Sequence, residues 1–179
     1  TGGAVGGGEF KPMGFGSFTV DQFAFGQAAM AFPFNSTASQ DVNVFQVRFT
    51  PGAVVVAGDK IELAFPSGTD LINAALDTFS PFYADFNQFG AGVVTGTAVS
   101  VNTTTLKVTI TLGVSGSPVA NDSLTVDLRK IINPVIPKGP STGGYTVGIK
   151  VTNAAGTTIK ANNTSMPYFI MVGGSNTIN

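Results

Sequence analysis

The chain has 179 residues, of which 43% are hydrophobic and only 11% charged, with a formal net charge of −1 at pH 7. Charged residues are less than half the ~25% of ordinary soluble domains, so polar surface must come from Thr, Ser, Asn and Gly, and the weak field makes nucleic acid and anionic membranes poor partners. Cysteine and histidine are both absent, which excludes disulfides, thiolate metal sites and the His-dependent forms of acid–base and triad chemistry.

Residues 1–8 (TGGAVGGG) form a glycine-rich lead, flexible by composition. Seven of the fifteen phenylalanines then fall between Glu9 and Phe34: Phe10, Phe15, Phe18, Phe23, Phe25, Phe32 and Phe34. Glycines, Pro12 and Pro33 punctuate this stretch and argue against a long helix. Phe18/Val20 and Phe23/Phe25 alternate, with a slip at Asp21–Gln22 of the kind a β-bulge produces. Residues 1–34 therefore read as an N-terminal arm, and residues 35–179 as the folded domain.

From Asn35 onward the rhythm is regular. Phe45/Val47/Phe49, Ile61/Leu63/Phe65, Leu106/Val108/Ile110/Leu112, Leu124/Val126/Leu128 and Tyr145/Val147/Ile149/Val151 each alternate with polar or small residues. Period-2 runs with one apolar face predict half-buried strands. Ala57-Gly58-Asp59, Ala120-Asn121-Asp122, Gly143-Gly144 and Ala155-Gly156 supply turns between them. Tyr168–Val172 is apolar on both faces and reads as a central or covered strand. A short helix is expected at Leu71–Asp77. A second aromatic cluster, Phe79, Phe82, Tyr83, Phe86 and Phe89, marks a long insertion at about residues 71–90. Seven or eight short strands spaced in this way predict an all-β fold, a two-sheet antiparallel β-sandwich of Ig-like or jelly-roll-like type. No apolar run approaches the ~20 residues of a transmembrane helix.

The signals FQVRFT, AGDKIELAFPSGT, LKVTITL, VANDSLTVDL, IINP and GGYTVGIKV follow one another between Asn43 and Val151. This order resembles the β-sandwich modules of prokaryotic surface-layer and cell-wall proteins. The strongest pieces are Ala57-Gly58-Asp59-Lys60-Ile61 with Phe65-Pro66-Ser67-Gly68-Thr69, and Ile132-Asn133-Pro134 with Gly144-Tyr145-Thr146-Val147. The arm and the Phe-rich insertion depart from the module. As a whole the chain resembles self-assembling extracellular fibre subunits of the archaeal bundling-pilin and TasA kind, whose N-terminal segment completes the next subunit's sheet. That resemblance implies a secreted, cell-surface protein whose signal peptide has been removed and whose partner is itself.

Function then rests on surfaces. The arm, through Phe10, Phe15, Phe18, Val20, Phe23 and Phe25, reads either as a strand donated to a neighbouring copy or as the first strands of its own sandwich. The glycine-rich lead suits a tethered donor. The insertion, through Phe79, Phe82, Tyr83, Phe86 and Phe89, reads either as a lateral subunit contact or as a private mini-core. Asn35, Asn102, Asn121, Asn162 and Asn163 each head an Asn-X-Ser/Thr triplet and are candidate N-glycosylation sites carrying covalent glycans, in places where turns favour the same residues anyway. No carboxylate pair has calcium-loop spacing, no glycine-rich stretch sits between a strand and a helix as a phosphate loop requires, and no nucleophile–base pair is visible. The expectation is a non-enzymatic structural subunit without cofactor or metal. A monomeric adhesion module for carbohydrate or a protein partner is the alternative, weakened by the absence of Trp.

Overall fold

The computed structural model describes residues 29–76, 84–85, 93–115 and 123–172. They form two antiparallel sheets, with strands numbered in chain order. The first runs β1 (Met30–Pro33), β2 (Phe45–Phe49), β8 (Ser123–Arg129), and carries β4 (Ala75–Leu76) and β5 (Ala84–Asp85) on the far edge of β8. The second runs β10 (Ile159–Thr164), β9 (Gly148–Thr152), β3 (Lys60–Ala64), β7 (Lys107–Ser115), β6 (Val93–Asn102). A single 3-10 turn at Pro140–Thr142 is the only helical element among the described residues. None of their helices is long and apolar enough to cross a membrane.

The alternation read from the sequence is what packs the two sheets. Phe45, Val47 and Phe49 of β2 and Leu124, Val126 and Leu128 of β8 face Ile61 and Leu63 of β3, Val108, Ile110 and Leu112 of β7, and Ile149 and Val151 of β9, all buried in one cluster. Burial of each such side chain contributes about 1.5–3 kcal/mol. A slip of one residue in any strand would turn its apolar set to water, so the pattern fixes the register. Polar partners line the outer faces: Gln46 Nε2 donates to Asp127 Oδ1 at 3.0 Å, and Lys107 Nζ reaches Glu62 Oε1 at 2.9 Å. Phe45 is wedged edge-on between Phe65 (5.1 Å between centroids) and Tyr168 (5.4 Å).

Three features differ from the sequence expectations. The helix expected at Leu71–Asp77 is a single turn: Asp70 Oδ1 accepts Ile72 N–H, Ala74 N–H donates to Leu71 O, and the chain then enters β4. A six- or seven-residue segment is too short to sustain a helix, and the open edge of β8 offers it strand pairing. Tyr168–Val172 is bridged on both edges, to Tyr145 and Lys138 on one and to Thr37 on the other, but it is covered on one face only. Tyr168 and Ile170 turn inward and pair with Tyr145 and Lys138, whereas Phe169, Met171 and Val172 face solvent. The sandwich also begins before residue 35, because Ala29 and Ala31 sit in the core and Met30–Pro33 pairs with β2.

Candidate assembly surfaces

The two module-like motif pieces meet inside the fold. A Cβ added at Gly68, in the Phe65–Thr69 turn, would lie 3.5 Å from the Cβ of Pro134. Asn133, 2% exposed, sends Nδ2 to Asn35 O (2.7 Å) and Thr37 O (2.9 Å), while its backbone N–H reaches Gln40 O (3.0 Å). Ile132 exchanges backbone bonds with Asp70. The Ile132-Asn133-Pro134 corner thus ties the Asn35–Gln40 loop to the end of β3. At the other end of the sandwich Asp59 is buried, accepting from Val56 N–H and pairing with Lys160 Nζ, which also donates to Val54 O. Asp59 and Asn133 of the two motif pieces are therefore braces, and they face inward.

Backbone directions identify what the edges leave open. Leu112 exchanges both of its hydrogen bonds with the Gly58–Asp59 turn, so its backbone faces the β3 side and that of Thr111 and Gly113 faces β6. Carried through the β6–β7 register, this directs the backbone of Ala98, Ser100 and Asn102 to β7, and that of Val99 and Val101 away from the sheet. Among the described residues nothing pairs with this outer edge. β6 is ten residues long, VVTGTAVSVN, with neither a charge nor a proline.

The other edges are obstructed. β1 has four residues and ends in Pro33, and at its two ends Met166 N–H bonds Ala29 O while Met171 N–H bonds Ser36 O. β10 carries Lys160, Asn162 and Asn163. The edge of β8 is taken up in part by β4 and β5. Natural sheets blunt their edges with short strands, prolines, charges, bulges or covering segments; among the described residues β6 shows only the bulge at Thr97.

A half-covered apolar seam runs beside β6. Among the described residues, seven partly buried hydrophobic residues pack against the core, and all except Ala38 belong to this side: Ala74, Leu76, Val99, Val101, Leu106 and Val114. A separate set of exposed apolar residues surrounds the C-terminal segment: Phe34, Phe169, Met171 and Val172. Phe169 lies over Gly144, where an added Cβ would meet its ring at 2.9 Å and Tyr168 O at 2.7 Å.

Two tyrosines stand near this segment. Burial, and secondarily the neighbouring Tyr145, push the Tyr168 phenol well above its ordinary range, and its hydroxyl has no hydrogen-bond partner. Desolvation also raises Tyr145, whose hydroxyl donates to Ile136 O at 2.6 Å beneath the Lys138 ammonium, 4.5 Å from the ring centre.

The candidate glycosylation sites separate by environment. Asn35 is engaged at both ends of its amide, with Asp41 O and Thr37 N–H. Asn102 Oδ1 accepts from Thr104 and Thr105 N–H at the β6–β7 turn. Asn162 and Asn163 are exposed on β10, and Asn121 lies outside the described residues. The candidate donor residues Phe10, Phe15, Phe18, Val20, Phe23 and Phe25 and the insertion residues Phe79, Phe82, Tyr83, Phe86 and Phe89 also lie outside them. Sequence reasoning missed β6 and β10 altogether. The Val99/Val101 alternation was the available signal for β6, masked by small residues and by the bulge. No group of three or more acidic, His or Cys side chains able to hold a metal ion occurs among the described residues. Comparison with protein-family models, curated proteins and solved structures finds no match.

Proposed function

We propose that this chain is a structural subunit of an extracellular, pilus-like filament, joined to its neighbours by donation of the N-terminal strand to the next subunit's sheet. The strand order carries this reading. Ala29, the first described residue, lies on the β1/β10 side of the sandwich, bonded to Met166 just beyond β10. The opposite side, where β4 meets β6, ends in a long, uncharged edge and a half-covered apolar seam. A sticky segment on one side and, on the other, an edge with no pairing strand among the described residues form a heterologous pair, which propagates as an open chain and does not close as a dimer. Burying Phe18, Val20, Phe23 and Phe25 in a neighbour would contribute roughly 6–12 kcal/mol at about 1.5–3 each. That is comparable with the ~4–15 kcal/mol cost of association, so surrounding contacts complete the joint. The scarcity of charge weakens repulsion between copies, and the order of the sequence motifs resembles that of surface-layer modules.

The test is negative-stain microscopy and sedimentation of the full chain beside a chain lacking residues 1–25. Filaments from the first and monomers or unstable small species from the second are expected. Assembly of the truncated chain into the same filaments refutes strand donation. A strictly monomeric full chain that binds glycan supports the adhesion-module alternative instead.

A further inference from the structure

The proposed filament leaves open which edge receives the arm and in what register. We infer that residues 18–25 of one copy add to the outer edge of β6 in the next, antiparallel, with Phe18 opposite Val101, Val20 opposite Val99 and Phe23 opposite Gly96. This assignment rests on the strand-donation reading and adds the acceptor to it.

Spacing is the first support. The β6 register sets positions 94, 96, 99 and 101 opposite Val114, Leu112, Ile110 and Val108, the core-facing residues of β7. The steps along β6 are therefore two, three and two, the middle step being the bulge between Gly96 and Ala98. A strand pairing residue for residue with a bulged neighbour must shift phase at the same place to keep its apolar side chains on the core face. The arm has that shift: Phe18, Val20, Phe23 and Phe25 are spaced two, three and two. In the antiparallel register Asp21 and Gln22 fall opposite Ala98 and Thr97, and Thr19 opposite Ser100, all three of these β6 positions being exposed. From position 97 to 101, the arm's polar residues meet exposed positions and its apolar residues meet Val99 and Val101 of the seam.

Orientation follows from Gly96. It presents no side chain on the core face opposite the buried Leu112. The antiparallel register brings Phe23 there, and an aromatic ring covering a cross-strand glycine is a recognised device of sheet building. The chain already uses an aromatic this way at Gly144 and Phe169. The outward backbone groups of Val99 and Val101 would then bond Val20 and Phe18.

Reach makes the joint intermolecular. Phe25 and Ala29 are four residues apart, a span of at most ~14 Å at about 3.5 Å per residue. Ala29 lies beside the β10 edge, and four strand spacings separate β10 from β6, about 19 Å at 4.8 Å each. A chain's own arm cannot bridge that distance, whereas a neighbour's can dock without it. The insertion does not compete for this edge through its described residues, since Ala84–Asp85 pairs with β8 in the other sheet.

The absence of cysteine allows a clean cross-linking test on full-length chains. A mass-tagged Thr19→Cys chain is mixed with Ser100→Cys under mild oxidation. Thr19 and Ser100 form a non-hydrogen-bonded cross-strand pair in the inferred register, whose Cα separation of ~4.5 Å suits a disulfide. Parallel mixtures use Ala24→Cys with Ser100→Cys, which reports the parallel register, and Thr19→Cys with Asn162→Cys, which reports the β10 edge. Accumulation of the Thr19–Ser100 heterodimer alone is the expected result. A heterodimer through Ala24 overturns the register, and one through Asn162 overturns the acceptor, while strand donation itself survives both. Filaments that form without any of these heterodimers also overturn the acceptor. A failure of the unmodified chain to assemble refutes the strand-donation reading beneath it.

Discussion

Replacing Asn133 tests the internal brace. Its Nδ2 supplies donors to two backbone carbonyls, Asn35 O at 2.7 Å and Thr37 O at 2.9 Å, from a position 2% exposed. Asn133→Ala deletes both bonds, each worth about 1 kcal/mol net, and strands Asn35 O while Thr37 O keeps the Gln40 N–H at 3.3 Å, so a loss of about 2–4 kcal/mol is expected. Asn133→Asp keeps the shape but sets carboxylate oxygen against those carbonyl oxygens. Burial and the facing carbonyl dipoles favour the neutral acid, so its folded pKa rises above the unfolded value of ~3.9. With the folded pKa raised, stability is retained below the unfolded pKa and lost as pH rises through the folded one. Urea unfolding at pH 7 and near pH 4 reads both effects. At pH 7 Asn133→Asp should be less stable than Asn133→Ala, and the difference should shrink or reverse in acid, where the protonated carboxyl can donate one bond. An Asn133→Asp chain within about 0.5 kcal/mol of wild type at pH 7, the range of inconsequential surface changes, would refute the brace.

Gly144→Ala combines a backbone angle of φ +65° with a Cβ 2.7 Å from Tyr168 O; it should cost more than the ~1–2 kcal/mol of a left-handed residue alone, and thermal melts should place it below Gly143→Ala, whose φ is +77° in open space. Tyr168→Phe removes a buried hydroxyl that has no partner and should stabilise by about 1 kcal/mol. Because burial raises the Tyr168 phenol, its contribution holds below pH ~10 and fades as pH rises beyond, so the same variant should show a shallower alkaline loss in a pH series of melts. Lys160→Met strands the buried Asp59 carboxylate and should cost about 3 kcal/mol or more; adding Asp59→Asn should recover part of it, which a double-mutant cycle in urea measures directly.

The sandwich was legible because its central strands obey a two-residue period with large side chains. Phe45/Val47/Phe49, Ile61/Leu63 and Leu124/Val126/Leu128 are read from the sequence and buried in the structure. The edges were not legible, and for a physical reason: an edge strand buries little, so its composition carries little of the pattern. β10 has Ala161 as its one core residue, and β6 breaks its own rhythm at Thr97. The terminal segment misled in the opposite direction. Five consecutive apolar residues imply two covered faces, yet only Tyr168 and Ile170 are covered, the uncovered remainder being a feature of surface that sequence periodicity cannot distinguish from core. Likewise the Asp59 and Asn133 motifs stood out in the sequence, but only the fold shows that both act by bracing loops.

In the proposed filament an acceptor edge on the folded subunit would couple folding to assembly, which gives that reading a thermodynamic signature. The donated strand can pair only with a β6 already held by β7, so it binds the native state and leaves the unfolded chain alone. Under that linkage each tenfold rise in subunit concentration adds about 1.4 kcal/mol once binding is saturated. For a domain of this size such an increment moves Tm by roughly 3–5 °C. The full chain melted over a hundredfold concentration range should therefore show a rising Tm, and a chain carrying Phe18→Ser and Phe23→Ser should show a flat one. The comparison separates donation from a sandwich that uses its arm internally. There the two substitutions lower Tm equally at every concentration, because the strand and its groove never part. Equal slopes for the two chains would show that whatever holds the copies together, the arm does not supply it.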